Sequence, residues 1–540
     1  MTIPTVNVSA LASERAQVGA GDLALIESFG EGRTMAWGEL DELTTTIARA
    51  FAGSGLVAGH RVALAMTNRI EFVATYLGAL RGGHVVVPMN PWSATGELMR
   101  MLADSGSRVV VCDEVTVDNV RAAVGGLAAA LDTADDGLRA RASVPTIVVV
   151  GGYADVGETA FESYLDNAPD IAVASPSDPE ALAALLYTSG TSGNPRGVML
   201  SHRALLADIE QVGRIEPEPI TSKDVVLGLL PLFHIYGLNV VLGQVLRTGA
   251  RLVLVRRFDH EETLDIVAEH GVTNIPIAPP VVAAWAGRGD LRTKLESVEL
   301  VLSGAAPLDH DLTDLFVESG GVVIEQGYGL TEAAPVITST LTARGREPDG
   351  SPKAGSVGAP VPGLELRVLD GSRREAQPGD PGEIWVRGAN LFSGYWPDGR
   401  EAPQPDGWYA TGDVGVVDRD GDLSLVDRLR ELVIVSGFNV YPSEVEDVIV
   451  ELDEIAEAAV IGVPDGETGE AVQAFVVPAD DRSSVSETVD RVRSHCESRL
   501  ARFKWPKHVT VTTDLPHSAN GKVAKGRLRA QARRESLGLS

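Results

Sequence analysis

The sequence predicts an α/β fold, with a large N-terminal domain of α/β subdomains, a small β-rich subdomain, and a small α+β C-terminal domain. Three observations predict it. Short apolar runs alternate with amphipathic stretches over the first ~400 residues, the pattern of mainly parallel sheets covered by helices. Near Ala354 the texture changes to shorter strands and Gly/Pro turns, and after Asp427-Arg428-Leu429-Arg430 a new helix-and-strand pattern begins. The 540 residues also exceed what one hydrophobic core usually supports.

In chain order, Val62-Ala63-Leu64-Ala65-Met66, Val85-Val86-Val87-Pro88, Val109-Val110-Val111, Ile147-Val148-Val149-Val150, Leu252-Val253-Leu254-Val255 and Leu300-Val301-Leu302 are apolar runs of strand length. Gly382-Glu383-Ile384-Trp385-Val386-Arg387-Gly388 reads as one of the turn-bounded strands of the β-rich part. Further on, Ser443 with Glu446 and Ser484 with Glu487 have the capping-box spacing of helix starts, with a strand over 458–463 between them. A boundary near Asp427 gives domains 1–427 and 428–540, the second a normal size for a small α+β unit.

Hydrophobic residues make up 44% and charged residues 22%, as in a globular chain. The net charge of −29 argues against a nucleic-acid partner, since phosphate backbones are held by clustered Lys and Arg. Basic residues do gather late: Arg502, Lys504, Lys507, Lys522, Lys525, Arg527, Arg529, Arg533 and Arg534 meet only Asp514 and Glu535 from residue 501 on. That run reads either as a site for an anionic substrate or as a solvated face. Two cysteines make no disulfide framework or metal cluster: Cys112 ends a buried strand, and Cys496 shares a helical face with Val485, Val489, Val492 and Leu500. The N-terminus lacks a basic segment followed by an apolar core, and no uncharged apolar run reaches bilayer length, so a cytoplasmic protein is expected.

Chemistry begins at Thr188-Ser189-Gly190-Thr191-Ser192-Gly193-Asn194-Pro195-Arg196-Gly197. Its glycines let backbone N–H groups converge on an anion, its hydroxyls add donors, and Arg196 supplies charge. It is not a Walker A loop: the GxxxxGK[ST] spacing is missing, and Pro195 with Val198-Met199-Leu200 predicts strand-loop-strand. On composition alone, a polar turn competes with the phosphate reading. A second phosphate-type element, Asn520-Gly521-Lys522, lies far downstream, which suggests an enzyme that closes around a nucleotide.

The loop resembles the nucleotide-phosphate signature of the adenylate-forming superfamily, which contains acyl-CoA synthetases, nonribosomal-peptide adenylation domains and luciferases. The resemblance recurs in order along nearly the whole chain. Leu230-Pro231-Leu232-Phe233-His234 resembles the acyl-pocket entrance, Ser303-Gly304-Ala305-Ala306-Pro307 the adenine platform, and Gln326-Gly327-Tyr328-Gly329-Leu330-Thr331-Glu332 the central catalytic signature. Trp408-Tyr409-Ala410-Thr411-Gly412-Asp413 and Asp427-Arg428 resemble the ribose-binding elements, Ser436-Gly437-Phe438-Asn439-Val440-Tyr441-Pro442 the thiol-step segment, and Asn520-Gly521-Lys522 the C-terminal lysine motif.

The resemblance implies ATP, Mg2+ and coenzyme A as co-substrates and cofactor. Catalytic roles fall to Lys522, Glu332, Thr331, Arg196 and His234. ATP or AMP would be held by Thr188, Ser189, Gly190, Thr191, Ser192, Gly193, Gly304, Ala305, Ala306, Gln326, Gly327, Tyr328, Gly329, Thr331, Asp413, Arg428 and Lys522, with Thr188 and Glu332 holding the metal. Ser436, Gly437 and Phe438 would meet CoA. His234, Tyr236, Gly237, Gly327, Gly329, Ala333 and Ala334 would line the acyl pocket. The mobile C-terminal domain would pivot at Arg430, and Gly437→Leu is expected to block only the thiol step. Each role has a bland rival: a core tyrosine for Tyr328, a turn cap for Asp413, a satisfied core histidine for His234.

Three departures stand out: Arg196 replaces the commonest lysine of the phosphate loop, Arg430 replaces the lysine or aspartate commonest at the hinge, and Gly329 with Ala333-Ala334 lie where acetate-specific relatives place a tryptophan wall. The acyl pocket is therefore expected to extend past two carbons, with Gly329→Trp capping it. An ATP-dependent acyl-CoA ligase acting on a medium- or long-chain fatty acid is the expected function. An aryl-acid CoA ligase, an enzyme loading an acyl carrier protein in trans, and a non-catalytic acyl- or nucleotide-binding relative are the alternatives. The short stretch after Lys522 leaves no fused carrier domain in view, favouring free CoA.

Overall fold

The computed structural model describes residues 6–133, 141–189, 195–306, 308, 310–347, 350–428, 431–435, 438–465, 469–479, 484–500, 502–517 and 522–536. Three sheets organise them. A seven-stranded sheet runs Thr159–Ala160, Thr146–Val150, Val109–Asp113, Arg61–Ala65, Val85–Pro88, Leu182–Ser189, Pro195–Ser201, parallel except for the final antiparallel pair. A thirteen-stranded path passes from the parallel strands Arg251–Leu254, Val225–Gly228, Asn274–Ile277, Leu300–Ser303 and Ile324–Gly329 into an antiparallel part containing Ser356–Pro360, Leu423–Arg428, Tyr409–Val417, Pro381–Arg387 and Glu365–Leu369. That antiparallel part is the β-rich region expected beyond Ala354. The third sheet, of five strands, begins at Val433–Val435 and carries the C-terminal unit.

The apolar runs are strands because they are covered on both faces: Val109–Asp113 is buried at every position, Cys112 included. The helix Ile70–Arg81 is likewise buried along its whole length, since it packs against strands of both large sheets. Ahead of it, Asn68 donates to the carbonyls of Gly228 and Leu230, and its Oδ1 accepts from Leu232 N, each at 2.9 Å. This one side chain fixes the segment leading into His234. Arg69 adds ion pairs to Glu71 (2.8 Å) and Glu114 (2.6 Å), and Arg33 to Glu27 (2.8 Å) and Glu71 (2.7 Å), so the junction of the two sheets is charged and paired. Burial among those guanidinium groups leaves the Glu71 carboxyl pushed down to about 2 despite its desolvation.

Two local expectations need correction. Ser443 does not cap its helix: Pro442–Val450 starts two residues earlier than such a cap requires, with Pro442 in the first turn and Tyr441 at the cap, so the Ser443 hydroxyl donates to Val426 O at 2.6 Å and Glu446 accepts from Val460 N at 2.5 Å. Val485 is 64% exposed, because the helix Val485–Arg499 is still in its first turn there; Thr488 takes the inward position beside Val492 and Cys496. The Ser484/Glu487 capping box is present. Three members of the late basic run are paired within their own domain, Lys504 with Glu444, Lys507 with Asp465 at 2.7 Å, and Lys525 with Glu431 and Glu446. Among the described residues no helix is long and apolar enough to cross a membrane.

Candidate active site

The antiparallel pair Leu182–Ser189 and Pro195–Ser201 sets Thr188 opposite Arg196, giving the strand-loop-strand expected from Pro195. Residues 190–194, the tip that contains Gly190, Thr191, Ser192 and Gly193, lie outside the described residues, as do Ser436, Gly437, Arg430, Asn520 and Gly521. The strand after the loop is stitched to a distant segment: Trp396 N donates to Gly197 O at 2.8 Å, Ser393 N to Met199 O at 2.9 Å, and Met199 N to Gly394 O at 3.1 Å. The same segment reaches the catalytic signature, because Phe392 N donates to Glu332 O at 2.9 Å.

Glu332 sits in the short 3-10 turn Thr331–Ala333, half-buried. Its Oε1 accepts the Tyr395 hydroxyl hydrogen at 2.5 Å. Over the Tyr395 ring lies the Arg196 guanidinium, 3.5 Å from the centroid, and Arg196 also forms two hydrogen bonds to Glu401, at 3.1 and 2.7 Å. The paired Glu401 raises the Arg196 pKa, so this cation is permanent. Glu332 is a single carboxylate with a second oxygen beyond the one Tyr395 takes. One carboxylate supplemented by nucleotide phosphate oxygens is a donor set that Mg2+ accepts, so the residues fit that ion.

A second polar pair joins two strands. Tyr328, in Ile324–Gly329, donates to Asp413 Oδ2 at 2.6 Å, and Asp413 pairs in the backbone ladder with Arg428. Tyr328 is buried in an apolar cluster with Ala333 and Ile337. Gln326 N donates to Thr340 Oγ1 at 2.8 Å, and Gly327 lies opposite Ser339. The small-residue shelf follows the strand Leu300–Ser303: a Cβ on Gly304 would come within 3.0 Å of the Tyr236 ring, and Ala305 takes φ of +71°, a left-handed conformation costing about 1–3 kcal/mol outside glycine.

Around His234 the chain makes a π-helix, Tyr236–Val241, which begins at Tyr236 and Gly237. His234 Nδ1 accepts from Tyr236 N at 3.2 Å, which puts the proton of a neutral ring on Nε2. Burial, and then the positive charge of Lys522, push the His234 imidazole down to about 4. The C-terminal lysine is thus near enough to His234 to bias its titration, although the two stand far apart in the chain. The Tyr236 hydroxyl donates to Leu302 O at 3.1 Å.

Residues the sequence did not single out complete the arrangement. Asn239 Nδ2 donates to Leu205 O (3.1 Å), Asp208 Oδ2 (3.0 Å) and Ala334 O (2.7 Å), and Asp208 Oδ1 accepts from Val336 N at 2.8 Å. Burial drives the Asp208 carboxyl well above the usual range. Ala333 and Ala334 are fully buried, and the expected capping by Gly329→Trp does not suit this backbone: a Cβ at Gly329 would lie 2.0 Å from Pro335 O. Tyr395 and Glu401 follow the unremarkable turn Ser393-Gly394, and nothing in spacing or composition distinguishes them.

Two family models match this chain, AMP-binding enzyme over residues 12–396 and AMP-binding enzyme C-terminal domain over 444–522. It is 34% identical to 4-coumarate–CoA ligase 5 of Oryza sativa subsp. japonica, over 94% of this chain and 92% of that protein. It is also 34% identical to the long-chain-fatty-acid–CoA ligase of Escherichia coli O157:H7, over 93% and 91% respectively. Among solved structures, ATP-bound MatB from Rhodopseudomonas palustris superposes with a TM-score of 0.83 at 29% identity, over 98% of this chain and 99% of that one.

Proposed function

We propose, for a chain that belongs to the AMP-binding enzyme family and is an AMP-forming acid–thiol ligase, that ATP first converts a carboxylic acid with an uncharged tail to acyl-AMP and that coenzyme A then accepts the acyl group. The observation that carries this reading is the linkage of Arg196, at the foot of the phosphate loop, to Glu332 through Tyr395, and the lowering of His234 by the Lys522 charge supports it.

In the first step the ionised acid attacks the α-phosphorus and pyrophosphate leaves, so no general base is needed. Lys522 neutralises charge as it develops between the two anions, the kind of preorganised contact worth about 100- to 1000-fold in rate. Bound at Glu332 and Thr188, Mg2+ would supply charge neutralisation at the phosphates. Arg196 contributes a second cation at the base of the phosphate loop, and Asp413 accepts the ribose hydroxyls. Neutral His234 borders the carboxylate without drawing it into a fixed ion pair. For the second step the domains 1–427 and 428–540 rotate about Arg430, and residues 436–438 receive the pantetheine arm.

An uncharged tail is supported by where the polar donors go: the Tyr236 hydroxyl donates to Leu302 O, and the Asn239 amide nitrogen to Leu205 O, Asp208 Oδ2 and Ala334 O. A medium- or long-chain fatty acid is the first choice. An aryl acid is the second reading, favoured by the likeness to a 4-coumarate–CoA ligase. Pyrophosphate release and thioester formation measured across acetate, octanoate, palmitate, 4-coumarate, a dicarboxylate and an amino acid, with CoA or a carrier protein as acceptor, test both. Rates should climb with fatty-chain length, about 0.8 kcal/mol per buried methylene, until the pocket is full. Preference for acetate, a dicarboxylate or an amino acid refutes the uncharged-tail reading, and thioester formed only on the carrier refutes CoA.

A further inference from the structure

We propose that Tyr395 is the positioning residue for Glu332, fixing the orientation of the carboxylate that takes the metal and tying it to Arg196 at the base of the phosphate loop. The inference rests on the reading of Glu332 as the metal-holding carboxylate. Its own ground is geometric. The Tyr395 hydroxyl meets Glu332 Oε1 at 2.5 Å, within the range of a charge-assisted O–H···O⁻ bond, which is shorter and stronger than a neutral one. One oxygen is thereby committed, and the other is presented with a defined direction.

The tyrosine is itself held from three sides. Its backbone N donates to Arg400 O and its carbonyl accepts from Gly399 N, at 2.9 and 2.8 Å, while the residue bridges Val198 in the strand after the phosphate loop. Its ring makes edge contact with Phe392, centroids 5.2 Å apart. Its outer face carries the Arg196 guanidinium, which Glu401 keeps in place. A ring pinned in this way cannot follow Glu332 if the carboxylate swings, so the carboxylate must conform to the ring. Partners one shell out from a metal ligand typically change metal affinity by 10- to 100-fold when removed.

The test uses the full-length chain as wild type, Tyr395→Phe and Glu332→Gln. Binding of Mn2+ in the presence of a non-hydrolysable ATP analogue is measured by electron paramagnetic resonance, alongside the Mg2+ dependence of acyl-AMP formation and the metal-free transfer of supplied acyl-AMP to CoA. Tyr395→Phe should weaken metal binding about 10- to 100-fold, shift half-saturating Mg2+ upward by a similar factor, regain rate as Mg2+ is raised, and leave transfer within about twofold of wild type. Unchanged metal affinity in Tyr395→Phe alongside a loss in Glu332→Gln overturns the inference and spares the reading of Glu332. Unchanged affinity in both variants overturns that reading as well. Equal loss in both half-reactions, with no rescue by Mg2+, marks Tyr395 as merely structural and also overturns the inference.

Discussion

The Tyr328 hydroxyl donates to Asp413 across 2.6 Å, joining the catalytic-signature strand to the β-rich region. Asp413 is only 7% exposed, so the tyrosine supplies hydrogen bonding that water would otherwise give. Removing one partner of a buried pair costs about 1–3 kcal/mol. Tyr328→Phe should therefore lower unfolding free energy by about that amount in denaturant titrations, while ATP still outcompetes 2′-deoxy-ATP. Asp413→Asn should narrow the discrimination between the two nucleotides. If Asp413→Asn discriminates like wild type, Asp413 does not read the ribose.

Lys522→Ala should depress acyl-AMP formation about 100- to 1000-fold and leave CoA transfer from supplied acyl-AMP nearly intact. It should also raise the His234 pKa, because the lysine charge is one of two causes holding it down to about 4. A depressed histidine favours the folded state above its unfolded value near 6.5 and loses that contribution as pH falls toward 4. Histidine titration by NMR checks the placement directly: an identical His234 curve in the variant puts Lys522 elsewhere in solution.

Gly329→Ala should cost stability on the scale of overpacking, about 1–3 kcal/mol, because its new Cβ meets the backbone of Pro335. Gly329→Trp should fail to accumulate as folded protein. A folded, active Gly329→Trp enzyme that prefers acetate would restore the capped-pocket idea.

Asp208→Asn should stabilise the protein at neutral pH. The carboxyl is raised by burial, so its contribution to stability is complete below its unfolded value near 3.9 and is lost as pH climbs through the folded one. The melting-temperature gain of the variant should accordingly be small at pH 4.5 and larger at pH 8. A constant gain, or a loss at pH 8, contradicts an Asp208 carboxyl raised by burial.

The parallel strands were legible because each is a short apolar run with turns at its ends, and the Ser484 cap because its partner is three residues away. Ser443 misled for a local reason: Pro442 is the better first residue of a helix, a preference that outranks the Ser443/Glu446 spacing. Tyr395, Asp208 and Asn239 were opaque because their meaning comes from partners far away in the chain, Glu332, Val336 and Ala334. Loop motifs preserve the identity of chemical groups, whereas the side chains that aim them lie wherever the fold happens to pass.

The π-helix at Tyr236–Val241 has a consequence for how this enzyme could diversify. Its tyrosine and asparagine grip the carbonyls of Leu302 and Ala334, so the strand Leu300–Ser303 and the turn after Thr331–Ala333 are braced to it through main-chain oxygen atoms. An acyl pocket at this place, as proposed above, would not widen by degrees as lining residues are trimmed. New chain-length preferences would arise abruptly, when Tyr236 or Asn239 releases its carbonyl.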